Sequence, residues 1–228
     1  NLENGQFSDA VGEAILNDTS VQDVLLDHII EAAGEYGFQD IHFDFEYLRP
    51  EDREPYNAFL KKAAQRLHAE RLLISTALAP KTSASQTGQW YTAHDYRAHG
   101  EIVDFVVIMT YEWGYSAGPP MAVSPIGPVR QVLEYAKTEI PANKIMMGQN
   151  LYGYDWTLPF VKGGAYARAI SPQTAISLAR ENHAFIEYDY TAQAPFFYYR
   201  DASQKQHVVW FEDARSIQAK FDLLKELS

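Results

Sequence analysis

The sequence predicts an α/β fold whose strands pair in parallel, with a small antiparallel element late in the chain. Apolar residues recur at helical spacing over residues 9–34, 55–70, 127–139, 172–182 and 213–227. Strand-like runs occupy 40–48, 72–79, 103–111 and 144–151, so strands and helices alternate through the first two thirds of the chain. Three short Tyr- and Phe-rich runs follow at 185–190, 195–200 and 207–211, separated by turn-like segments, which is a hairpin pattern.

Each element has its own reason. The helical spacing over 9–34 gives way at 40–48 to strict alternation of ionisable and apolar residues, and a helix begins at Pro55. The runs Leu72-Leu73-Ile74 and Phe105-Val106-Val107-Ile108-Met109 are apolar on both faces, as in strands covered on two sides. A loop rich in Ser, Thr and Gly separates them, and a Gly/Pro loop leads to the helix over 127–139. Four major strands are visible where a (β/α)₈ barrel has eight. The polar stretch 1–6 reads as the sequel to a strand, and the chain stops after a helix, so an incomplete barrel lacking early strands and the last is expected. The predicted organisation is a partial barrel over 1–156, a small α+β insertion over 157–211 and a closing barrel helix over 212–228.

Composition narrows the function. A net charge of −11 opposes encounter with nucleic acid or an acidic membrane face and leaves neutral or cationic ligands. There is no cysteine, which removes disulfide, zinc–thiolate and cysteine-nucleophile schemes. No segment reaches the ~20 apolar residues of a membrane span, and Asn1 opens directly in polar sequence, so an export signal is expected to be removed or to lie outside this chain. The histidines show no ligand spacing and no glycine-rich phosphate loop has the right context, so neither metal nor cofactor is expected. The 15 Tyr, 12 Phe and 4 Trp crowd into loops such as 111–115 and 152–156, where aromatic faces suit sugar rings but also serve as ordinary core.

The chemistry concentrates at 40–48. A strand there puts Asp40, His42, Asp44 and Glu46 on one face and Ile41, Phe43, Phe45 and Tyr47 on the other. One reading is a sheet with a wet face. The other, suggested by apolar neighbouring strands, is an interior row whose carboxylates cannot all ionise, leaving Glu46 at the strand's C-terminal end as an acid.

Phe43-Asp44-Phe45-Glu46 resembles the end of the family 18 glycoside hydrolase signature D-G-x-D-x-D-x-E. Met109-Thr110-Tyr111-Glu112-Trp113-Gly114 resembles that family's M-x-Y-D segment, residues 148–153 its G-x-x-x-Y-G segment, and Phe211-Glu212-Asp213 with Ser216 and Lys220 its late acidic segment. Residues 75–82 and 152–157 are most similar to the spore-cortex-lytic N-acetylglucosaminidases of endospore-forming bacteria, over nearly the whole chain. The resemblance implies a (β/α)₈ barrel with an α+β insertion and a retaining, substrate-assisted hydrolase in which the 2-acetamido oxygen attacks the anomeric carbon. Glu46 would be acid and then base, Asp44 would hydrogen-bond the acetamido N–H, and Tyr111 would reach the acetamido carbonyl or be a packed strand-end residue.

The same resemblance nominates His42, Glu112, Trp113, Asn150, Tyr152, Tyr154 and Trp156 for substrate binding, the aromatic ones as sugar platforms or scaffold. Two positions depart from the family pattern: His42 stands where the first acid of D-x-D-x-E is usual, and Glu112 replaces an Asp. His42 would pair with Asp44 or sit as a satisfied core histidine. A β-linked N-acetylglucosamine polymer, peptidoglycan or chitin-like, is the expected partner of a monomer at the cell wall or spore; the alternatives are a glycan-binding protein without activity and a fragment without function.

Overall fold

Residues 9–34 form two helices rather than one. After a short hairpin of β1 (Leu2–Glu3) and β2 (Gln6–Phe7), α1 (Asp9–Leu16) ends at Asn17 and α2 (Thr19–Tyr36) begins behind Asp18. The Asp18 carboxylate accepts the backbone N–H groups of Ser20 and Val21, satisfying donors that a helix start leaves orphaned. Apolar periodicity runs across this break and conceals it. Gly37, at φ 71°, closes α2 in the left-handed conformation.

The computed structural model describes residues 1–228, which divide into two units: residues 1–109 with 134–147, and residues 110–133 with 148–228. The first holds β3 (Asp40–Phe43), α3 (Arg53–Ala69), β4 (Leu73–Leu78), α4 (Tyr96–Ile102), β5 (Phe105–Ile108) and β6 (Ile145–Met147); the division falls inside α5 (Ile126–Glu139). The four strands form a parallel sheet in the order β3-β4-β5-β6, as their alternation with helices predicts, but the sheet is open and does not close into a barrel.

Alternation in β3 fixes its packing. Phe43 and Phe45 turn onto α3, where Phe43 meets Phe59 edge-on at 5.2 Å and Phe45 stacks on Tyr56 at 5.3 Å. Such aromatic pairs add about 0.5–1.5 kcal/mol each beyond the area they bury. The opposite face corrects an expectation. His42 and Asp44 meet solvent and Glu46 is half-buried, so the ionisable row does not lie in an interior.

The second unit is built on a five-stranded antiparallel sheet ordered β8-β7-β11-β10-β9. Its strands are β7 (Gly153–Thr157), β8 (Arg168–Ile170), β9 (Glu187–Asp189), β10 (Ala194–Arg200) and β11 (Gln206–Trp210), with α6 (Pro172–Glu181) and α7 (Ala214–Leu227). The period of two sorts the core: Val209 joins Phe197, Ile170 and the α6 alanines Ala175 and Ala179, while its neighbour Val208 joins Tyr154 and Trp156. The predicted strand over 144–151 stops at Met147, and β7 starts a different sheet, so the antiparallel element begins before residue 157. Gly153 explains the register there: a Cβ would lie 2.2 Å from the Trp210 carbonyl oxygen on β11. No helix is long and apolar enough to cross a membrane.

Candidate active site

Backbone pairing of β3 with β4 ends at Phe43–Thr76, and residues 44–49 leave the sheet without regular structure. Their backbone groups need partners from elsewhere, and two side chains supply them. The Asn1 carboxamide pairs with Glu46 on both sides, its Oδ1 accepting the Glu46 N–H at 2.9 Å and its Nδ2 donating to the Glu46 carbonyl at 2.8 Å. His94 Nδ1 accepts the Ala79 N–H at 2.7 Å, so the ring proton sits on Nε2, which donates to the Phe45 carbonyl at 2.7 Å. Burial pushes the His94 ring down to about 4, against a smaller upward pull from the Phe45 carbonyl, and holds it neutral at physiological pH.

The carboxylate of Glu46 has a partner too. Trp90, in the loop after β4, donates its indole N–H to Glu46 Oε2 at 2.7 Å. Tyr47, held at a φ of 54°, stacks on Trp90 with centroids 6.5 Å apart and planes 12° from parallel. A non-glycine residue there costs on the order of 1 kcal/mol, a strain that clusters at functional sites.

Asp44 lies two residues before Glu46. Loss of hydration around it raises its carboxyl above the ordinary range, although it meets solvent, and the His42 charge opposes that rise. His42 makes its hydrogen bond elsewhere. The Ser75 hydroxyl donates to Asp40 at 2.8 Å, so His42 Nδ1 donates to Ser75 Oγ at 2.8 Å, and the histidine acts on Asp44 through charge rather than contact. His42 is solvent-exposed and is not a core histidine.

The remaining nominated residues belong to the second unit. Glu112, at φ 67°, accepts hydrogen bonds from the Tyr152 hydroxyl and from the Tyr154 hydroxyl at 3.0 Å. Burial first, then the adjacent Glu112 charge and hydrogen bond, push both phenols well above their usual range, so they stay protonated donors. Tyr111 is partly buried and packs with Tyr152 against the cluster of Val123, Tyr154 and Trp156. The Trp113 backbone N–H donates to the Val123 carbonyl at 3.0 Å, and its side chain is half-buried.

Two nominated side chains are enclosed. Trp156 is 2 % exposed with its indole N–H on the Gly118 carbonyl, a scaffold position that offers no open face for a sugar. Asn150, also 2 % exposed, spends its amide on the Tyr152 carbonyl and the Ser124 hydroxyl; Ser124 lies in turn beside Glu212, which pairs with buried Lys220 at 2.9 Å. Asn150 therefore holds a buried polar network rather than facing a ligand. No group of three His, Asp or Glu side chains is drawn together closely enough to hold a metal ion.

The family model for glycosyl hydrolases family 18 matches residues 3–228. The chain belongs to this family. It is 70 % identical over 228 residues to the cortical fragment-lytic enzyme of Bacillus subtilis (strain 168), covering 100 % of this chain and 53 % of that protein. The family 18 chain thus spans about half the length of the curated relatives it matches. Its fold superposes on the crystal structure of the Bacillus megaterium QM B1551 spore cortex-lytic enzyme SleL with a TM-score of 0.95 at 67 % identity, covering 100 % of this chain and 52 % of that one. A chitinase from Chromobacterium violaceum ATCC 12472 matches with a TM-score of 0.89 at 27 % identity, over 99 % of this chain and 69 % of the other. A barrel-like α/β fold follows from these neighbours.

Asn1, Trp90 and His94 are the site residues that sequence reasoning missed. A tryptophan in an otherwise polar loop was the available signal for Trp90. Nothing local marks Asn1 or His94, because their partners lie 45 and 49 residues away.

Proposed function

We propose that this family 18 protein is a retaining glycoside hydrolase that cleaves β-linked N-acetylglucosamine glycans, peptidoglycan in preference to chitin, by substrate-assisted catalysis. The observation that carries the reading is the Asp44/Glu46 pair on the segment leaving β3, with Glu46 held through backbone and carboxylate by residues distant in sequence. Glu46 gives its proton to the departing glycosidic oxygen as the acetamido oxygen closes on the anomeric carbon. It then takes a proton from the water that opens the oxazolinium intermediate. Asp44 binds the acetamido N–H and stabilises the positive charge that develops there. Tyr111 and Trp113 are assigned to substrate by motif position alone. In this reading the four parallel strands are part of a (β/α)₈ barrel, and similarity to cortex-lytic relatives favours a cell-wall or spore location for a monomeric enzyme.

A second reading, glycan binding without turnover, draws on His42: Asp44 lacks the neighbouring carboxylate that would share a proton with it. Hydrolysis of a chromogenic N-acetylglucosamine oligomer and of purified peptidoglycan separates the two. Glu46→Gln is expected to lower kcat by about 10²–10⁴-fold, the usual contribution of a general acid. Binding of the same oligomers with no turnover by the unsubstituted protein would establish the second reading instead.

A further inference from the structure

We infer that Trp90 is a positioning residue for Glu46 that selects which carboxyl oxygen carries the transferable proton and steadies the carboxylate left behind. The inference rests on the reading of Glu46 as the acid. An indole N–H is donor only and cannot accept a proton from the carboxyl. With that donor 2.7 Å from Oε2, the protonated acid is most stable with Oε2 as its carbonyl oxygen and the hydrogen on Oε1. The 2.7 Å separation falls at the short end of hydrogen bonds to a charged acceptor.

The bond changes strength during the reaction. When the O–H bond of Glu46 breaks and its proton passes to the glycosidic oxygen, the electron pair stays on the carboxyl group and Oε2 gains negative charge. An N–H already aimed at Oε2 binds that charge more tightly than it binds the neutral acid, with no reorganisation at the moment of transfer. The return step, in which Glu46 takes a proton from water, reverses this and restores the same oxygen.

Neighbouring residues hold the geometry. Trp90 stacks on Tyr47 at 6.5 Å and meets Tyr91 at 5.5 Å with the rings tilted by 53°. The backbone of Glu46 is fixed by Asn1 and that of Phe45 by His94, so the main chain that carries the carboxyl is anchored independently of the indole. A solely structural tryptophan would need the stack but not the N–H.

The test keeps the ring and removes the donor. Trp90→Phe, and benzothienylalanine installed at position 90 as an isostere without the N–H, are compared with the unsubstituted protein and Glu46→Gln on a chromogenic N-acetylglucosamine oligomer. Expected for both Trp90 replacements is a fall in kcat of about ten- to a hundredfold with KM within about twofold, in line with loss of one preorganised donor. The basic limb of the pH profile is expected to move to higher pH, because a lost donor to the carboxylate favours its protonated form. Unchanged kcat and pH profile in the benzothienylalanine protein, with Glu46→Gln inactive, would overturn the role of Trp90. Activity persisting in Glu46→Gln would instead overturn the assignment of the acid.

Discussion

Glu46 and Glu112 are both carboxylates on backbone that leaves regular structure, yet they are held by opposite kinds of group. Glu112 sits on left-handed backbone and receives two phenol hydroxyls. Each of those phenols comes from the β7 region and is itself shielded from ionising. Glu46 receives one indole N–H on its carboxylate and a carboxamide on its backbone. Two phenol donors tie the Glu112 side chain to the β7 region. For Glu46 the main chain is clamped as well, by the Asn1 carboxamide on its N–H and its carbonyl. The difference teaches that two carboxylates off regular structure are held by different means, Glu46 through its main chain as well as its carboxylate and Glu112 through its side chain.

The largest effect expected from this contrast is kinetic. Glu46→Gln should remove activity by the factor given above with little change in stability, whereas Glu112→Gln should leave kcat within about tenfold and lower the unfolding midpoint instead. Equal kinetic losses in the two variants, measured beside urea denaturation, would break the comparison.

A second effect is pH-dependent. His94 is buried and neutral, held at about 4 against an ordinary 6.5, and His99 is held at about 3 by burial. The unfolded chain binds protons at these sites that the folded chain refuses, so their contribution is complete above about pH 6.5 and is lost as pH falls toward 4 and then 3. Denaturation midpoints between pH 7 and pH 4 should fall in the unsubstituted protein and fall less steeply in His94→Gln. Parallel slopes would mean that the fold does not hold His94 neutral.

The smallest effect sharpens the other side. Tyr152→Phe removes one of the two phenol donors of Glu112 and should cost about 1 kcal/mol in equilibrium unfolding, with Tyr154 still in place. A loss several times larger would show that the two phenols act as one cooperative unit.

Much of this site is legible in one dimension. Alternation over 40–47 places Asp44 and Glu46 opposite Phe43 and Phe45, and the packing of both phenylalanines on α3 follows it. Other features escape because the determining contact is nonlocal. The break at Asn17–Asp18 is invisible to apolar spacing, which continues across it, and only the capping bonds of Asp18 reveal it. Trp156 and Asn150 lie in motifs that suggest sugar contacts, but burial and engaged polar atoms make them scaffold.

The sequence by itself determined the alternating α/β order, the family signature ending at Glu46 and the two-residue offset of Asp44, because side-chain period and motif spacing are properties of the chain alone. Tertiary structure decided what holds Glu46. Asn1 and Trp90 reach it across 45 and 44 residues, and His94 reaches the adjoining Phe45 carbonyl across 49. Hydrogen bonds between groups so far apart carry no local period, so only the folded backbone brings donor and acceptor together.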